Sequence, residues 1–508
     1  DLKSDFVQGA WVGAKRSLRF IHFRGKEVTY QAWAGVPREV IDTNRTFNPY
    51  TYENEVDNYD QAHYQLLFDQ KVGKHAVVNL TLFRVLGAGY FEQFREDDEL
   101  ATYSIAPAVI NGDTITTTDL VRRRWLDNAL TGVNASADIT LGDHRLVLGG
   151  SYSDYSGAHF GEVIWARYAG GTDIGQRYYD DDARKTDANA FAKLTYALRD
   201  DIEAFGDLQF RSVSHRLEML NADFVPQQQT ISFSFFNPKA GVLWRVSNSD
   251  KAYASVAVGN REPNREDLQE TTPSSRPRSE KLIDYELGYE RSTRPLKLGL
   301  NLYYMDYTDQ LVLTGELNDV GAALRTNVAR SYRAGAELTL AARITKRLSW
   351  RANAAFSRNR VLAFTEFVDD WDNGGQLATT YAESELSFSP SVVAGSELGL
   401  RFWSSERHGN AEVTLVTKYV GAQYLDLTAS TDRMLDPFLV NDLRLNATWH
   451  AKGTKGIDFN LTVRNLFSEV YESNGWVYSY VCDGRRQEFV GLYPQAPLNL
   501  LCGVSVRL

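Results

Sequence analysis

The sequence predicts an all-β fold, a transmembrane antiparallel β-barrel, and three observations carry that prediction. Apolar and polar residues alternate with a period of two in many runs of about ten residues, the length a tilted strand needs to cross a bilayer. Short polar turns alternate along the chain with long irregular connections, as periplasmic turns and extracellular loops do in an outer-membrane barrel. The composition is rich in aromatics, with 27 Tyr, 25 Phe and 10 Trp beside 13 Pro and 37 Gly in 508 residues, which suits long strands, tight turns and interfacial girdles.

The chain opens in strand register. Phe6, Ala10 and Val12 lead into a turn over 13–16, and a second strand runs through Leu18 to Phe23. Further short turns are expected at 73–74, 142–143, 199–200, 247–250, 292–294, 345–347, 404–409 and 451–456, each rich in residues that favour turns or solvent. Around them the alternation is clean. Leu296, Leu298, Leu300, Leu302 and Tyr304 alternate with Lys297, Gly299 and Asn301, and Leu348, Trp350, Ala352, Ala354 and Phe356 with Ser349, Arg351 and Asn353. Ile457, Phe459, Leu461 and Val463 alternate with Asp458, Asn460, Thr462 and Arg464 in the same way. The last strand holds Leu498, Leu500, Cys502, Val504, Val506 and Leu508 on one face. A soluble sandwich also alternates, but its strands are shorter and it must hide the apolar face under a second sheet. The long connections, at 30–59, 89–113, 168–184, 222–228, 263–279, 316–323, 364–381, 423–432 and 473–486, all fall on the opposite rim and are expected outside the cell.

The count is about 19 strands. The first and last both descend toward the short-turn rim, so an antiparallel wall cannot close from these strands alone. An odd number of strands is expected beyond them, and three would give the plugged class of about 22 strands. Residues 1–508 are thus read as one barrel domain that is N-terminally incomplete.

Composition also excludes. The formal net charge is −10 and the pI near 5.5, so a nucleic-acid partner is not expected. A mean hydropathy of −0.37 reflects strands that are only half apolar, and the least charged stretch, 489–506, contains Pro494 and Pro497 and cannot be a spanning helix. Cys482 and Cys502 are the only cysteines. In a hairpin turning at Asp483 and Gly484 they sit too far apart to bridge.

No catalytic or metal-ligating cluster stands out. His22, His63, His75, His144, His159, His215, His408 and His450 are scattered singly, without ligand spacing. His159 lies where a strand meets a long loop, so it either faces a ligand or steadies that loop beside Tyr155, Phe160 and Trp165. Asp369, Asp370, Asp372 and Asn373 offer oxygens to a calcium ion, but fit no complete calcium loop, and Asx turns account for them as well. Arg261, Arg265, Arg276 and Arg278 lie on or near one external loop. Guanidinium groups suit carboxylates, catecholates and phosphates through paired hydrogen bonds. They face either a ligand, lipopolysaccharide phosphate, or Glu262, Glu266 and Asp267. Tyr30, Trp33, Trp371, Tyr478 and Tyr480 offer flat surface to a conjugated ligand or form part of an interfacial girdle. Glu337, Arg343, Arg351, Asp442, Arg444 and Arg464 fall on lumen positions and are expected to pair across strands.

Four stretches are distinctive in combination: FNLTVRNLFSEVYESNGW at 459–476, YPQAPLNLLCGVSVRL at 493–508, GNREPNREDL at 259–268 and SEKLIDYELGYE at 279–290. Together they resemble the TonB-dependent outer-membrane receptors of Gram-negative bacteria, the first looking like that family's penultimate strand and the second like its last. GNREPNREDL at 259–268 resembles its arginine-x-proline-asparagine box, and SEKLIDYELGYE at 279–290 the strand that follows; 303–321 and 326–337 are also similar. The plug domain, its energy-coupling box and the first strands are not among these residues. The chain ends in Leu508 where many barrels end in an aromatic residue, and Arg276-Pro277-Arg278-Ser279 departs from the usual segment.

The resemblance implies an outer-membrane active-transport receptor, not an enzyme, with no cofactor. Its ligand would be a scarce nutrient, first an iron chelate such as a ferric siderophore or haem, then cobalamin. No histidine lies between His215 and His408, where a haem ligand would be expected. The implied partners are that ligand, the TonB complex acting through the plug, outer-membrane lipid and lipopolysaccharide, and in some receptors a surface lipoprotein. On this reading the ligand-binding residues are Tyr30, Trp33, His159, Arg261, Arg265, Arg276, Arg278 and Trp371. A passive porin with a constricting inward loop, an outer-membrane enzyme, and a plugless remnant are the rival readings.

Overall fold

The computed structural model describes residues 1–220, 226–269, 276–317, 323–451 and 453–507. Parts of the connections expected at 222–228, 263–279 and 316–323, residue 452 of the turn at 451–456, and Leu508 lie outside the described residues.

One antiparallel sheet of twenty strands makes up the wall. Its member Ser384–Glu385 is two residues long and lies on the same neighbour, Leu348–Val361, as the strand Val392–Ser405. Twenty less this extension leaves nineteen wall strands among the described residues, from Leu2–Val12 to Asn499–Arg507, the number expected from sequence. Each pairs with its chain neighbours in a simple meander. The first and last strands therefore run the same way, and no ladder joins them among the described residues.

Contacts at the extracellular rim curl this meander. The strand Val36–Pro37, in the connection after Arg16–Tyr30, pairs with Gly491 and Leu492 in the last connection. Trp476 Nε1 donates to the Ala34 carbonyl at 2.8 Å, and Arg45 lies 2.5 Å from Glu472. Segments from opposite ends of the chain meet here, so the wall is bent back on itself.

The alternation has its expected sense. Leu287, Leu302 and Ala336 stand in one cross-strand row and turn outward, with Leu287 56% and Leu302 41% exposed. Asn301 and Glu337 between such rows face the lumen, and Arg351 and Arg444 both approach Glu397 there, at 3.7 and 3.6 Å. Apolar residues that a sandwich would bury are those that meet hydrocarbon. No helix among the described residues is long and apolar enough to cross a membrane. Gly73 and Gly142 hold positive φ values of 64° and 65° in the tight turns, where a side chain would be strained.

Above the membrane the structure corrects the sequence reading. The connection expected at 89–113 begins only after a strand that runs Ala76–Glu99, and 364–381 and 473–486 are not irregular but belong to the hairpins Phe364–Asp370 with Gln376–Tyr381 and Glu472–Cys482 with Arg485–Pro494. Once both faces of a strand meet water its ladder continues while the alternation fades, so periodicity loses the strand before the hydrogen bonds do. The hairpin Glu472–Cys482 with Arg485–Pro494 turns at Asp483 and Gly484, and Cys482 and Cys502 are unbridged.

Leu302→Arg places a cation near the middle of the apolar band and is expected to destabilise the barrel by about 2–4 kcal/mol, whereas Asn353→Arg on the lumen face costs little. Urea unfolding of the two variants in detergent or lipid, followed by tryptophan fluorescence, checks the contrast.

Candidate functional site

The described first part of the connection after the strand Asp250–Arg261, residues 262–269, folds into the lumen as a strap, because it carries groups that find partners on the inner wall. Glu262 is buried and accepts hydrogen bonds from Lys185 Nζ at 2.8 Å and from both terminal nitrogens of Arg211 at 2.8 Å, while Arg211 also holds Asp187. Burial alone would raise the Glu262 pKa, but the hydrogen bonds from Arg211 and Lys185 outweigh it and hold the carboxyl at about 2, against an ordinary 4.5. Leu268 packs among Ala183, Leu217 and Ile231, all on lumen positions. On the far side Asp267 approaches Arg325 at 3.6 Å, so the strap lies between the strands Ile202–Leu220 and Ala323–Arg343. Asn264 and Asp267 exchange hydrogen bonds from backbone N–H to side chain, at 2.8 and 2.7 Å, which fix its first turn.

The strap delivers Arg265 to a cluster on the inner wall. Its ion-pair partner among the described residues, Asp181, is 3.9 Å away, and its Nε and Nη1 are buried with no hydrogen-bond acceptor among them. Asp181 stands opposite His159 in the ladder, and the charges of Arg265 and Arg124 both reach His159. Arg124 donates to the Tyr179 hydroxyl at 3.0 Å, and its guanidinium lies 5.2 Å from the Tyr179 ring centre and 5.8 Å from that of Phe91. Trp33 meets Phe91 edge to face at 5.1 Å. Gly161 makes the arrangement possible, since a Cβ there would stand 2.3 Å from the ring of Tyr178 and 2.4 Å from that of Tyr179. Two guanidinium groups, an imidazole and three aromatic faces thus line one patch of wall, a surface for anionic, flat molecules.

Of the residues singled out by sequence, Trp33, His159 and Arg265 come together here. The others are engaged elsewhere. Arg261 bonds Glu280 and the Leu311 carbonyl, each at 3.1 Å, Arg276 bonds Gln229 at 2.8 Å, and Arg278 bonds Asp309 at 2.6 Å. The Tyr30 hydroxyl donates to the Tyr50 carbonyl. Trp371 stacks on Tyr480 at 3.8 Å on a different loop. Asp370 caps its own turn through the N–H groups of Asp372 and Asn373, and Asp372 accepts from the N–H groups of Asp483 and Gly484 at 2.8 Å, so these carboxylates serve the hairpin tips. Asp372, Cys482 and Asp483 are the one group of three metal-type ligands that gathers among the described residues. Sequence reasoning missed Phe91, Arg124 and Tyr179; the run Arg122-Arg123-Arg124 was the signal that could have found them.

Residues 12–466 match the family model described as TonB dependent receptor-like, beta-barrel. The chain belongs to the TonB-dependent receptor family. The family and fold are those of outer-membrane transport receptors rather than enzymes. Among solved structures, the ferric-catecholate import receptor Fiu from E. coli K12 is 14% identical with a TM-score of 0.70, over 100% of this chain and 75% of that one. The ferric yersiniabactin uptake receptor FyuA from Yersinia pestis is 15% identical with a TM-score of 0.66, over 100% and 70%. The siderophore receptor PiuA from Acinetobacter baumannii is 12% identical with a TM-score of 0.67, over 94% and 72%. These likenesses establish the fold. A search of curated proteins finds no match.

A second inner assembly holds the extracellular cap of this TonB-dependent receptor. Arg433, with its side chain 4% exposed, bonds Asp426 at 2.7 Å, Glu366 at 3.1 Å and Glu488, and Arg486 also holds Glu366. Three connections are pinned at one guanidinium, beside an apolar core of Val36, Ile41, Leu425, Leu435, Val477 and Leu492.

Arg433→Ala leaves the buried Asp426 without its cation and Glu366 and Glu488 to Arg486, and is expected to cost about 3–5 kcal/mol of cap stability, seen as faster proteolysis within 364–381 while the barrel stays intact. Glu262→Gln is expected to free the strap to proteases at neutral pH. Because the folded Glu262 pKa lies below its ordinary value, its anchoring is complete above about 4.5 and fades as pH falls toward 2; protease susceptibility of the wild-type strap against pH checks the sign.

Proposed function

We propose that this receptor captures an iron chelate at its extracellular face and imports it across the outer membrane with energy supplied through TonB. The observation that carries the reading is the inner-wall patch of Trp33, Phe91, Arg124, Tyr179, His159 and Arg265, which offers cationic donors and aromatic faces together. Membership of the TonB-dependent family supports energised import. The names of Fiu, FyuA and the ferric preacinetobactin receptor BauA associate this fold with ferric ligands, which favours iron chelates over haem and cobalamin. TonB would act through a plug domain N-terminal to the barrel, as the resemblance implies. The chain's part is to bind, orient and pass the ligand, and no covalent step is needed. Lipid, lipopolysaccharide and a surface lipoprotein are further partners on this reading.

The strap in the lumen favours one second reading, a passive pore with an inward constriction. Uptake of radiolabelled iron chelates by iron-starved cells carrying the receptor separates the two. Import that saturates and is lost on deletion of TonB is expected; import that survives TonB deletion and rises linearly with concentration would establish the pore.

A further inference from the structure

We infer that the ligand of the inner-wall patch is an anionic chelate bearing paired acidic oxygens, of catecholate or carboxylate type, and that Arg265 is a residue it contacts. This rests on the import reading above and narrows its substrate class.

Arg265 lacks the partners that its neighbours have. Charge-assisted hydrogen bonds between guanidinium and carboxylate run to about 2.7–2.9 Å, and the neighbouring arginines reach such acceptors: Arg211 lies 2.8 Å from Glu262 and Arg278 2.6 Å from Asp309. Arg265 reaches Asp181 only at 3.9 Å, and two of its nitrogens meet no acceptor among the described residues. Its side chain is 15% exposed, and those two nitrogens are enclosed by protein. Burial pushes the guanidinium pKa below the usual arginine range, a direction that an anion brought alongside would reverse.

An unsatisfied buried cation is costly, and it persists only where other contacts hold it in place. Those contacts are on the same strap: Glu262 comes before it, and Asp267 and Leu268 just after. The strap therefore holds Arg265 ready rather than being held by it. This fixes the chemistry of the missing partner. A planar fork of N–H donors matches two oxygens of one anionic group. The adjoining faces of Tyr179, Phe91 and Trp33, with Arg124 lying over the first two, suit a conjugated ring carrying those oxygens. A neutral chelate would leave the guanidinium uncompensated. Because Nε and Nη1 are enclosed, full engagement also requires a small shift of the strap, so ligand binding and strap position are coupled.

The test uses the complete receptor in outer-membrane vesicles, titrated with two iron(III) probes: a trianionic hexadentate tris-catecholamide complex and a neutral hexadentate trihydroxamate complex. Binding is followed by tryptophan quenching. Wild type is expected to bind the trianionic probe more tightly, and more weakly as salt rises. R265Q is expected to weaken that probe roughly tenfold to a hundredfold, with R265K recovering part of the loss. If limited proteolysis shows that R265Q displaces the strap, R265K decides: recovery supports the contact, and loss equal to R265Q overturns it. Binding of the neutral probe as tight as that of the trianionic one, or an R265Q variant with unchanged affinity, overturns the inference. Neutral-probe binding with TonB-dependent iron uptake overturns the charge assignment alone, whereas binding of neither probe and no iron uptake overturns the import reading with it.

Discussion

Hydrocarbon offers no hydrogen-bond partner, and the unbroken ladder from Leu2–Val12 to Asn499–Arg507 is the constraint on which the rest of this receptor depends. Backbone groups in the membrane must be paired within the protein, so the chain meanders and each strand takes its neighbours from the strands before and after it. Since the side-chain period is two, each strand then commits alternate residues to lipid and to water. The wall gains its membrane affinity at the cost of its apolar side chains, which point away from one another and cannot form a shared core.

Cohesion beyond the ladder must therefore come from where the loops meet. Among the described residues four small apolar cores lie there, around Leu425, Tyr103, Leu268 and Leu386, and none of the four sits between strands at mid-membrane. Two buried ionic assemblies complete them, one around Arg433 in the cap and one around Glu262 in the strap. Both place a buried charge among several partners from distant segments. Such groups add little net stability over apolar substitutes, yet removing one member leaves the others exposed to a large penalty. They fix which loops meet, and that specificity is what a wall without a core otherwise lacks.

How much of this was legible depended on whether one face of a strand met lipid. Between the short turns, where Leu298, Leu300 and Leu302 alternate with polar residues, the period gave the strands, their count and their direction. Above that band, in the upper part of Ala76–Glu99 or the hairpin Phe364–Asp370 with Gln376–Tyr381, both faces are wet and the period carries no information. The connection at 263–279 is read as extracellular because it falls on the rim opposite the short turns, and nothing local in its sequence shows that it turns into the lumen. Only the partners on Lys185 and Arg211, remote in sequence, turn Glu262 inward. Half of the inner-wall patch was lost for the same reason: Phe91, Arg124 and Tyr179 lie on strand extensions that carried no periodic mark.

The strap shows how stability and function divide within a few residues. Glu262 has both oxygens engaged and a depressed pKa, and it behaves as a structural anchor. Arg265, a short step along the chain, is also enclosed but has no close acceptor among the described residues. A loop selected for stability alone would pair both. Holding one firmly so that the other stays unsatisfied concentrates an electrostatic deficit beside the aromatic faces of the wall, and it puts that deficit on the element whose displacement would change the lumen. On the proposed reading, a ligand that supplies the missing oxygens engages the strap itself, which ties recognition to the strap's position.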